Sequence, residues 1–466
     1  MRNRIEFFLN GEGVSLAAAH PCRTLLAWLR EERRLTGTKE GCAEGDCGAC
    51  TVALCDRRGM RPVASCILPL GAVDGCEVVT VEHLKALHGG ELHPAQRAVV
   101  ECHGSQCGFC TPGFVMALFA HYKNRLSCER NALCDALAGN LCRCTGYAPI
   151  LAAGEAMHRY ALPDRERADD AARTERLRDL PATTLEIERG GARFFAPATV
   201  AELGRWLLEH PQARILAGGT DLGLLVTKEQ RDLDCIAYLG RVAELKELRE
   251  TPEAIELGAA VTYAEAHGAF ARLHPDFGEL IRRLGGAQVR AAGTIAGNIV
   301  NASPIGDTMP VLLALDACLR LQRGSSSREI PLRNFYTGYR KTILQPGEFI
   351  RSIRIPTLAP GARFAAYKLS KRFDQDISGV CAAFHLAPDG SARFGVGGLA
   401  ATPARAPKAE AAWAQGIEAA CSALAEDFRP LSDHRASSWY RLTAARNLLR
   451  KFAAGIGARA LLEIAP

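Results

Sequence analysis

GTKEGCAEGDCGACTV, residues 37–52, sets Cys42, Cys47 and Cys50 in a glycine-rich loop, and Cys66 follows in ASCILPL, residues 64–70. This C-x4-C-x2-C…C order is the plant-type spacing of a 2Fe-2S site. A binuclear cluster needs four converging thiolates, and thiolates suit iron because they are soft, strongly donating ligands. Gly41, Gly45 and Gly48 let the backbone wrap closely and aim amides at the sulfurs. Zinc is the competing reading, since C-x2-C pairs also build tetrahedral zinc sites. A zinc knuckle, however, gains nothing from C-x4-C-x2-C in such a loop.

A second group lies downstream, with Cys107 and Cys110 in HGSQCGFCTPGFVM (103–116), and Cys142 and Cys144 in GNLCRCTGYAPI (139–150). C-x2-C followed at a distance by C-x-C is no common zinc pattern, because a C-x-C pair bites narrowly. On spacing alone, iron-sulfur leads and zinc stands second. The other cysteines, Cys22, Cys55, Cys76, Cys102, Cys128, Cys134, Cys235, Cys318, Cys381 and Cys421, read as small buried hydrophobes or spectators.

Working outward, TLLAWLREE (24–32) forms a helix directly ahead of the first loop. The opening MRNRIEFFLNGEGVSL alternates apolar and polar residues around Asn10-Gly11, which reads as a β-hairpin. Residues 1–88 thus read as one small β-rich domain, and 89–160 as a helical one carrying PGFVMALFAHYKN and NALCDALAGNL. Residues 161–186 read as a linker, because PDRERADDAARTERLRDLP (163–181) is charged and nearly free of aromatics, a solvated stretch with some helical tendency. From 187 to 362, short apolar runs alternate with helical patterns such as VAELGRWLLEH, as in α/β or α+β structure. Residues 363–466 begin with strands (FAAYKLSKR, VCAAFHLA, ARFGVGGL) and end in helices such as SSWYRLTAARNLLRKFAAG.

The length of 466 residues calls for several domains, and 48% hydrophobic with 23% charged residues is a globular composition. Lys and Arg total 57 against 51 Asp and Glu, a net +6 too small and too evenly spread to argue for nucleic acid. No stretch approaches the roughly 18 apolar residues of a membrane span. The N-terminus lacks the apolar core of a signal peptide. Eighteen cysteines in so long a chain do not read as a secreted disulfide scaffold, so a cytoplasmic location is expected.

ILAGGTDLGLL (215–225) reads as a buried strand followed by a Gly-Gly-Thr-Asp turn, whose successive N–H groups could form a nest for an anion such as a pyrophosphate. In GGAQVRAAGTIAGNIVNASPIGDTMPVLLALDA (285–317), small residues around Thr294, Gly297 and Asn298 would let a bulky ligand approach the backbone. A tightly packed turn between strands explains that segment equally well.

Taken together, the two cysteine-bearing motif sets in this order resemble the molybdenum hydroxylase family, which includes xanthine dehydrogenase, aldehyde oxidase and carbon monoxide dehydrogenase. The resemblance runs from about residue 4 to beyond 450. It implies a multidomain α+β chain: a β-grasp ferredoxin-like domain, a four-helix 2Fe-2S domain, an α+β FAD-binding domain of the molybdenum hydroxylase flavoprotein type and an α+β C-terminal domain. It assigns Cys42, Cys47, Cys50 and Cys66 to one cluster and Cys107, Cys110, Cys142 and Cys144 to the other, with Gln106 facing a molybdopterin. For FAD it implies Ile215, Leu216, Ala217, Gly218, Gly219, Thr220, Asp221 and Leu222, then Leu284, Thr294, Ile295, Ala296, Gly297, Asn298, Asp307, Ile350 and Lys368. KLSKRFDQDIS (368–378) resembles the loop near the flavin ring, whose position in the xanthine enzymes helps decide between NAD and oxygen, and GVGGLAATPARA (395–406) resembles a structural turn.

Because this chain stops at Pro466, ahead of any molybdenum-binding part, it resembles the small subunit of the bacterial xanthine enzymes. The expectation is an electron-transfer subunit, with substrate oxidised at molybdenum on a large partner subunit in a two-plus-two heterotetramer. Electrons would pass through two 2Fe-2S clusters to FAD, and on to NAD. FAD belongs last because it gathers single electrons and releases a pair. No residue of this chain is then catalytic for substrate oxidation. An aldehyde or N-heterocycle as substrate, a stand-alone NADH diaphorase, and a zinc scaffold are the alternatives.

Overall fold

A computed structural model of the chain describes residues 1–17, 19–124, 126–161 and 164–458. The end of the expected C-terminal domain, 459–466, lies outside the described residues. The chain forms two compact units, one of 1–199, 212–242 and 285–293, the other of 200–211, 243–284 and 294–466.

The first unit opens with the hairpin, Arg4–Leu9 against Glu12–Ala17, in register from Arg4↔Ala17 to Leu9↔Glu12. Its turn needs left-handed backbone at both central positions, and Asn10 (φ 54°) and Gly11 (φ 83°) supply it. The hairpin edges a five-stranded sheet in which Arg4–Leu9 runs parallel to Glu77–Val79, followed by Thr51–Asp56 and Gly59–Ala64. Helix Leu25–Glu31, capped by Thr24, buries Leu25, Leu26, Trp28 and Leu29, and Trp28 meets Phe7 edge to face at 5.5 Å. This is the expected β-grasp arrangement.

Helices Pro94–Glu101, Thr111–Lys123, Arg130–Leu137 and Ala148–Ala156 make the four-helix part. Thr111–Lys123 is apolar almost all round and buries nine consecutive residues from Gly113 to His121, as a central bundle helix must. A four-stranded sheet, Leu185–Arg189, Ala192–Ala196, Cys235–Tyr238 and Arg214–Leu216, shares one buried apolar cluster with the β-grasp sheet, including Phe7, Trp28, Phe194 and Ile236.

The segment expected as a solvated linker is different. Asp164–Asp179 is a helix, with Glu166 and Arg173 buried. Its charges are spent on fixed partners: Arg173 Nε donates to Glu77 at 2.9 Å, and Glu166 takes Lys123 at 3.0 Å and His93 at 3.2 Å. Composition reads charge as solvation, whereas these charges find buried complements.

The second unit holds an antiparallel sheet in the order Leu248–Glu250, Ala254–Gly258, Glu348–Pro356, Cys318–Arg323, Ser326–Pro331. A second antiparallel sheet, Arg363–Leu369, Val380–Leu386, Ala392–Gly397 and Ala404–Arg405, packs on helices Ile417–Asp427 and Ser438–Ala453 around Phe384, Phe394 and Phe452. Among the described residues, no helix is long and apolar enough to cross a membrane.

Candidate functional site

The loop between the β-grasp helix and Thr51–Asp56 brings four thiols together. The Cys42 thiol faces those of Cys47 and Cys66, and the Cys66 thiol also faces that of Cys50. The N–H groups of Glu44, Asp46 and Cys47 each point at Cys42 Sγ at 3.4 Å. Bonds from the Cys47 and Cys66 thiols, and then these amides, hold the Cys42 thiol far below its usual value despite burial, and the Cys66 thiol lowers Cys50 likewise. Such amide-to-sulfur bonds stabilise thiolate charge. Two glycines are required: a Cβ at Gly41 would lie 2.8 Å from Cys47 Sγ, and Gly48 (φ +72°) would put one 2.3 Å from the Gly139 carbonyl.

The second quartet sits at the exposed end of the helical part. Cys107 and Cys144 are exposed with their thiols turned to each other, Cys110 and Cys142 face each other likewise, and Cys142 Sγ lies 3.2 Å from Thr145 Oγ1. The N–H of Phe109, ahead of the Cys144 thiol, lowers Cys107, while burial pushes Cys110 up to about 12. Phe109, Leu141 and Tyr147 stand exposed around the group, and Gln106 is exposed beside Cys107.

A single zinc with Zn–S of about 2.3 Å needs sulfurs roughly 3.8 Å apart. Among the described residues, only His20, Cys22 and Asp232 bring three ligand atoms within 4.8 Å of one another. That trio closes a turn, with Cys22 N–H on His20 Nδ1 at 3.3 Å and Leu233 N–H on Cys22 Sγ at 3.1 Å. Each quartet offers four thiols and no nitrogen or carboxylate ligand, the all-thiolate donor set that a 2Fe-2S centre takes.

The two quartets are joined through the main chain: Leu141 N–H, next to Cys142, donates to the Cys47 carbonyl at 3.0 Å. The first quartet also adjoins the 215–222 stretch. Cβ atoms at Gly219 and Gly223 would lie 3.2 and 2.7 Å from the carbonyl of Ile67, the neighbour of Cys66. Thr227 Oγ1 donates to the Ala43 carbonyl, beside Cys42, at 2.7 Å. Ala64, Ile67, Leu68, Gly218, Thr220 and Gln288 help line a cavity of ≈ 10 Å³ there, about the room for one water. The strand ahead of this turn is only Arg214–Leu216, with Leu216 alone fully buried, because a three-residue edge strand has one covered face.

In the second unit, 294–298 is no turn between strands. Thr294 caps helix Ile295–Asn301, its hydroxyl accepting Gly297 N–H at 3.1 Å. The helix packs on the strand that contains the buried Ile350. Asn298 Oδ1 accepts Thr308 Oγ1 at 2.8 Å, and the next residue back, Asp307, is buried against Lys368 Nζ and takes Ser378 Oγ at 2.5 Å. Arg283, the residue before Leu284, pins the loop 368–378: its guanidinium lies 4.3 Å over the Phe373 ring, with Nε on the Phe373 carbonyl at 3.1 Å and Nη1 on that of Lys368 at 3.3 Å. Asn298 is thus linked through Thr308 to the chain segment that carries the buried Asp307–Lys368 ion pair, and the capped helix that holds Asn298 packs on the strand of Ile350. Residues 215–222 belong to the first unit. Arg283 and Ser378 have no spacing signal in sequence, because both act through contacts far along the chain.

Four family models match the chain: a 2Fe-2S iron-sulfur cluster binding domain over 7–69, a [2Fe-2S] binding domain over 80–155, the FAD binding domain in molybdopterin dehydrogenase over 187–358, and the CO dehydrogenase flavoprotein C-terminal domain over 365–456. A xanthine dehydrogenase of Drosophila subobscura is 32% identical, the match covering 86% of this chain and 35% of that protein. The mouse xanthine dehydrogenase/oxidase is also 32% identical, covering 81% and 32%. The chain therefore spans about a third of the length of these relatives. Among solved structures, a reconstituted CO dehydrogenase from Oligotropha carboxidovorans superposes with a TM-score of 0.52 at 27% identity, covering 57% of this chain and 97% of that one. Quinoline 2-oxidoreductase from Pseudomonas putida 86 shares the fold, with a TM-score of 0.51 at 24% identity, covering 57% and 96%.

Proposed function

The chain belongs to the molybdenum hydroxylase family, and from that premise we propose that it is the electron-transfer subunit of an NAD-linked xanthine dehydrogenase. In this reading Cys42, Cys47, Cys50 and Cys66 hold one 2Fe-2S cluster, and Cys107, Cys110, Cys142 and Cys144 the other. Residues 215–222, Leu284, 294–298, Asp307, Ile350 and Lys368 hold FAD. The bound groups supply one-electron carriage at the clusters and conversion of single electrons to a pair at the flavin.

The chain's own residues do the positioning. Exposed Phe109, Leu141 and Tyr147, with Gln106, present the second quartet to a large molybdopterin-bearing partner, in a two-plus-two assembly. The amides around Cys42 hold thiolate charge, and Arg283 holds the 368–378 loop, whose first residue Lys368 is one of the proposed flavin contacts. The single observation that carries the reading is the main-chain bond from Leu141 to Cys47, which ties a surface-facing quartet to one that adjoins the 215–222 stretch. A cytoplasmic location belongs to the same proposal, since eighteen cysteines in so long a chain, eight of them read as iron ligands, suit a reducing compartment. The likeness to CO dehydrogenase and quinoline 2-oxidoreductase favours a second reading, the same role with another substrate, such as an aldehyde or N-heterocycle.

The test is an anaerobic xanthine titration of the purified chain with its copurifying partner, followed by visible absorption and low-temperature EPR. Flavin bleaching with two reduced 2Fe-2S signals is expected. If only dithionite produces the signals, the purine assignment falls and the electron chain stands. A colourless zinc-loaded protein would overturn both.

A further inference from the structure

Gln288 lies in the helix Ala287–Ala292 and is 1% exposed. Its amide Nε2 donates to Thr51 Oγ1 at 3.0 Å and to Asn140 Oδ1 at 2.8 Å. Thr51 directly follows Cys50, and Asn140 stands two residues before Cys142. Both acceptors then turn to one atom: Thr51 Oγ1 donates to the Gly48 carbonyl at 2.6 Å, and Asn140 Nδ2 to the same carbonyl at 3.2 Å. One side chain from outside both cysteine domains thus spends its two N–H groups on the two cysteine loops, and the network closes on the residue between Cys47 and Cys50.

The backbone around it leaves no slack. The Ala287 N–H donates to the Ala138 carbonyl, and Arg290 Nη2 to that of Asp135 at 3.1 Å. A Cβ on Gly139 would lie 2.1 Å from Gln288 Oε1, and one on Gly286 2.5 Å from Gly139 Cα. The same helix abuts the 215–222 stretch, where a Cβ on Gly218 would lie 1.9 Å from the Ala292 carbonyl. Among the described residues, Gln288 Oε1 has no hydrogen-bond partner. A buried amide with an unmet acceptor is a poor way to fill space, and an aliphatic side chain would be cheaper unless its two N–H bonds do something packing cannot.

We propose that Gln288 is a positioning residue for electron transfer, fixing the two cysteine loops at one spacing relative to each other and to the flavin-binding turn. The proposal rests on the two-cluster reading above. Its contribution is directional: two donors with set geometry allow one arrangement of Gly48, Thr51 and Asn140, whereas apolar contact tolerates sliding.

The test compares the wild-type complex with Gln288→Leu and Thr51→Val, measuring iron and flavin content, the spin–spin splitting between the two reduced cluster EPR signals, and flavin reduction after rapid mixing with substrate. Full cofactor loading is expected in both variants, with altered splitting. Flavin reduction should slow by about tenfold or more in Gln288→Leu, given how steeply rates fall when positioned groups shift by an ångström. Thr51→Val, which removes both the acceptor for Gln288 and the donor to the Gly48 carbonyl at nearly constant shape, should move both readouts the same way. If Gln288→Leu does not load, Thr51→Val carries the test. A loaded variant with unchanged splitting and unchanged rate overturns the proposal and leaves the functional reading standing. A wild-type complex without iron or flavin overturns both.

Discussion

The Leu141 N–H donates to the Cys47 carbonyl at 3.0 Å, so the two cysteine loops meet backbone to backbone. Leu141 precedes one cysteine of the outer quartet, and Cys47 is itself a member of the inner one. No side chain intervenes. The spacing of the two loops therefore depends on their backbone conformation as well as on the Gln288 side chain that joins Thr51 to Asn140.

Cys107→Ser should abolish one reduced cluster signal and about two of the four irons that two binuclear sites carry, leaving flavin content unchanged. Cys102→Ser, outside either quartet, should leave all three quantities as they were. EPR with iron and flavin analysis checks both. Loss of both signals in Cys107→Ser would contradict two separate sites.

Gly48→Ala is expected to strain the inner loop. Its φ of +72° is the left-handed region, and the new Cβ would meet the Gly139 carbonyl at 2.3 Å. The strain costs about 1–3 kcal/mol, enough to lower Tm by roughly 5 °C, and Fe content should fall with it. Differential scanning calorimetry with iron analysis reads the outcome.

Asp307→Ala removes the partner of Lys368, whose ammonium group is buried. An unpaired buried charge costs about 3–5 kcal/mol, and Ser378 Oγ loses its acceptor as well. Urea unfolding and the flavin-to-protein ratio should both fall. Replacing Asp307 and Lys368 together by Asn and Met should recover much of the stability but not the flavin, which separates the pair's structural role from its binding role.

Acid should loosen the docked helix Asp164–Asp179. Burial raises the Glu166 carboxyl, but His93 and Lys123 outweigh it and hold the pKa at about 2, against an ordinary 4.5. His88 Nδ1 also faces it at 3.5 Å, and Asp170 shares Lys123. The folded state then binds fewer protons than the unfolded, so this stability is complete above about pH 4.5 and is lost as pH falls towards 2. His93 acts in the same sense. Its Nδ1 accepts Ala95 N–H, so the ring proton sits on Nε2 facing Glu166, and burial lowers its pKa from 6.5. Stability should therefore begin to fall below pH 6.5. Thermal melts from pH 8 to 4 should show this limb, and Glu166→Gln should flatten its lower part.

Local rules explain what could be read early. Asn10-Gly11 makes its turn because few other pairs accept φ > 0 twice, and Thr111–Lys123 is helical and buried because it is apolar all round. The segment at Thr294 was ambiguous because a Thr followed by small residues suits a turn or an N-cap, and only the Gly297 N–H on its hydroxyl decides. The docking of the helix Asp164–Asp179 is hidden from the sequence for a related reason: Arg173 and Glu166 look solvated until Glu77, His93 and Lys123 arrive from distant segments.

By itself, the sequence determined the thiolate donor set at each cysteine loop and, at the first, the plant-type 2Fe-2S spacing. Ligand type, spacing and glycine placement are short-range properties, confined to stretches such as 37–52 and 139–150. Only the tertiary structure decided how the loops relate. The Leu141–Cys47 bond, the Ile67 carbonyl against Gly219, and Gln288 reaching Thr51 and Asn140 all join residues far apart in the chain. Such pairings cost chain entropy that packing repays only once the whole core has formed, so no local pattern carries them.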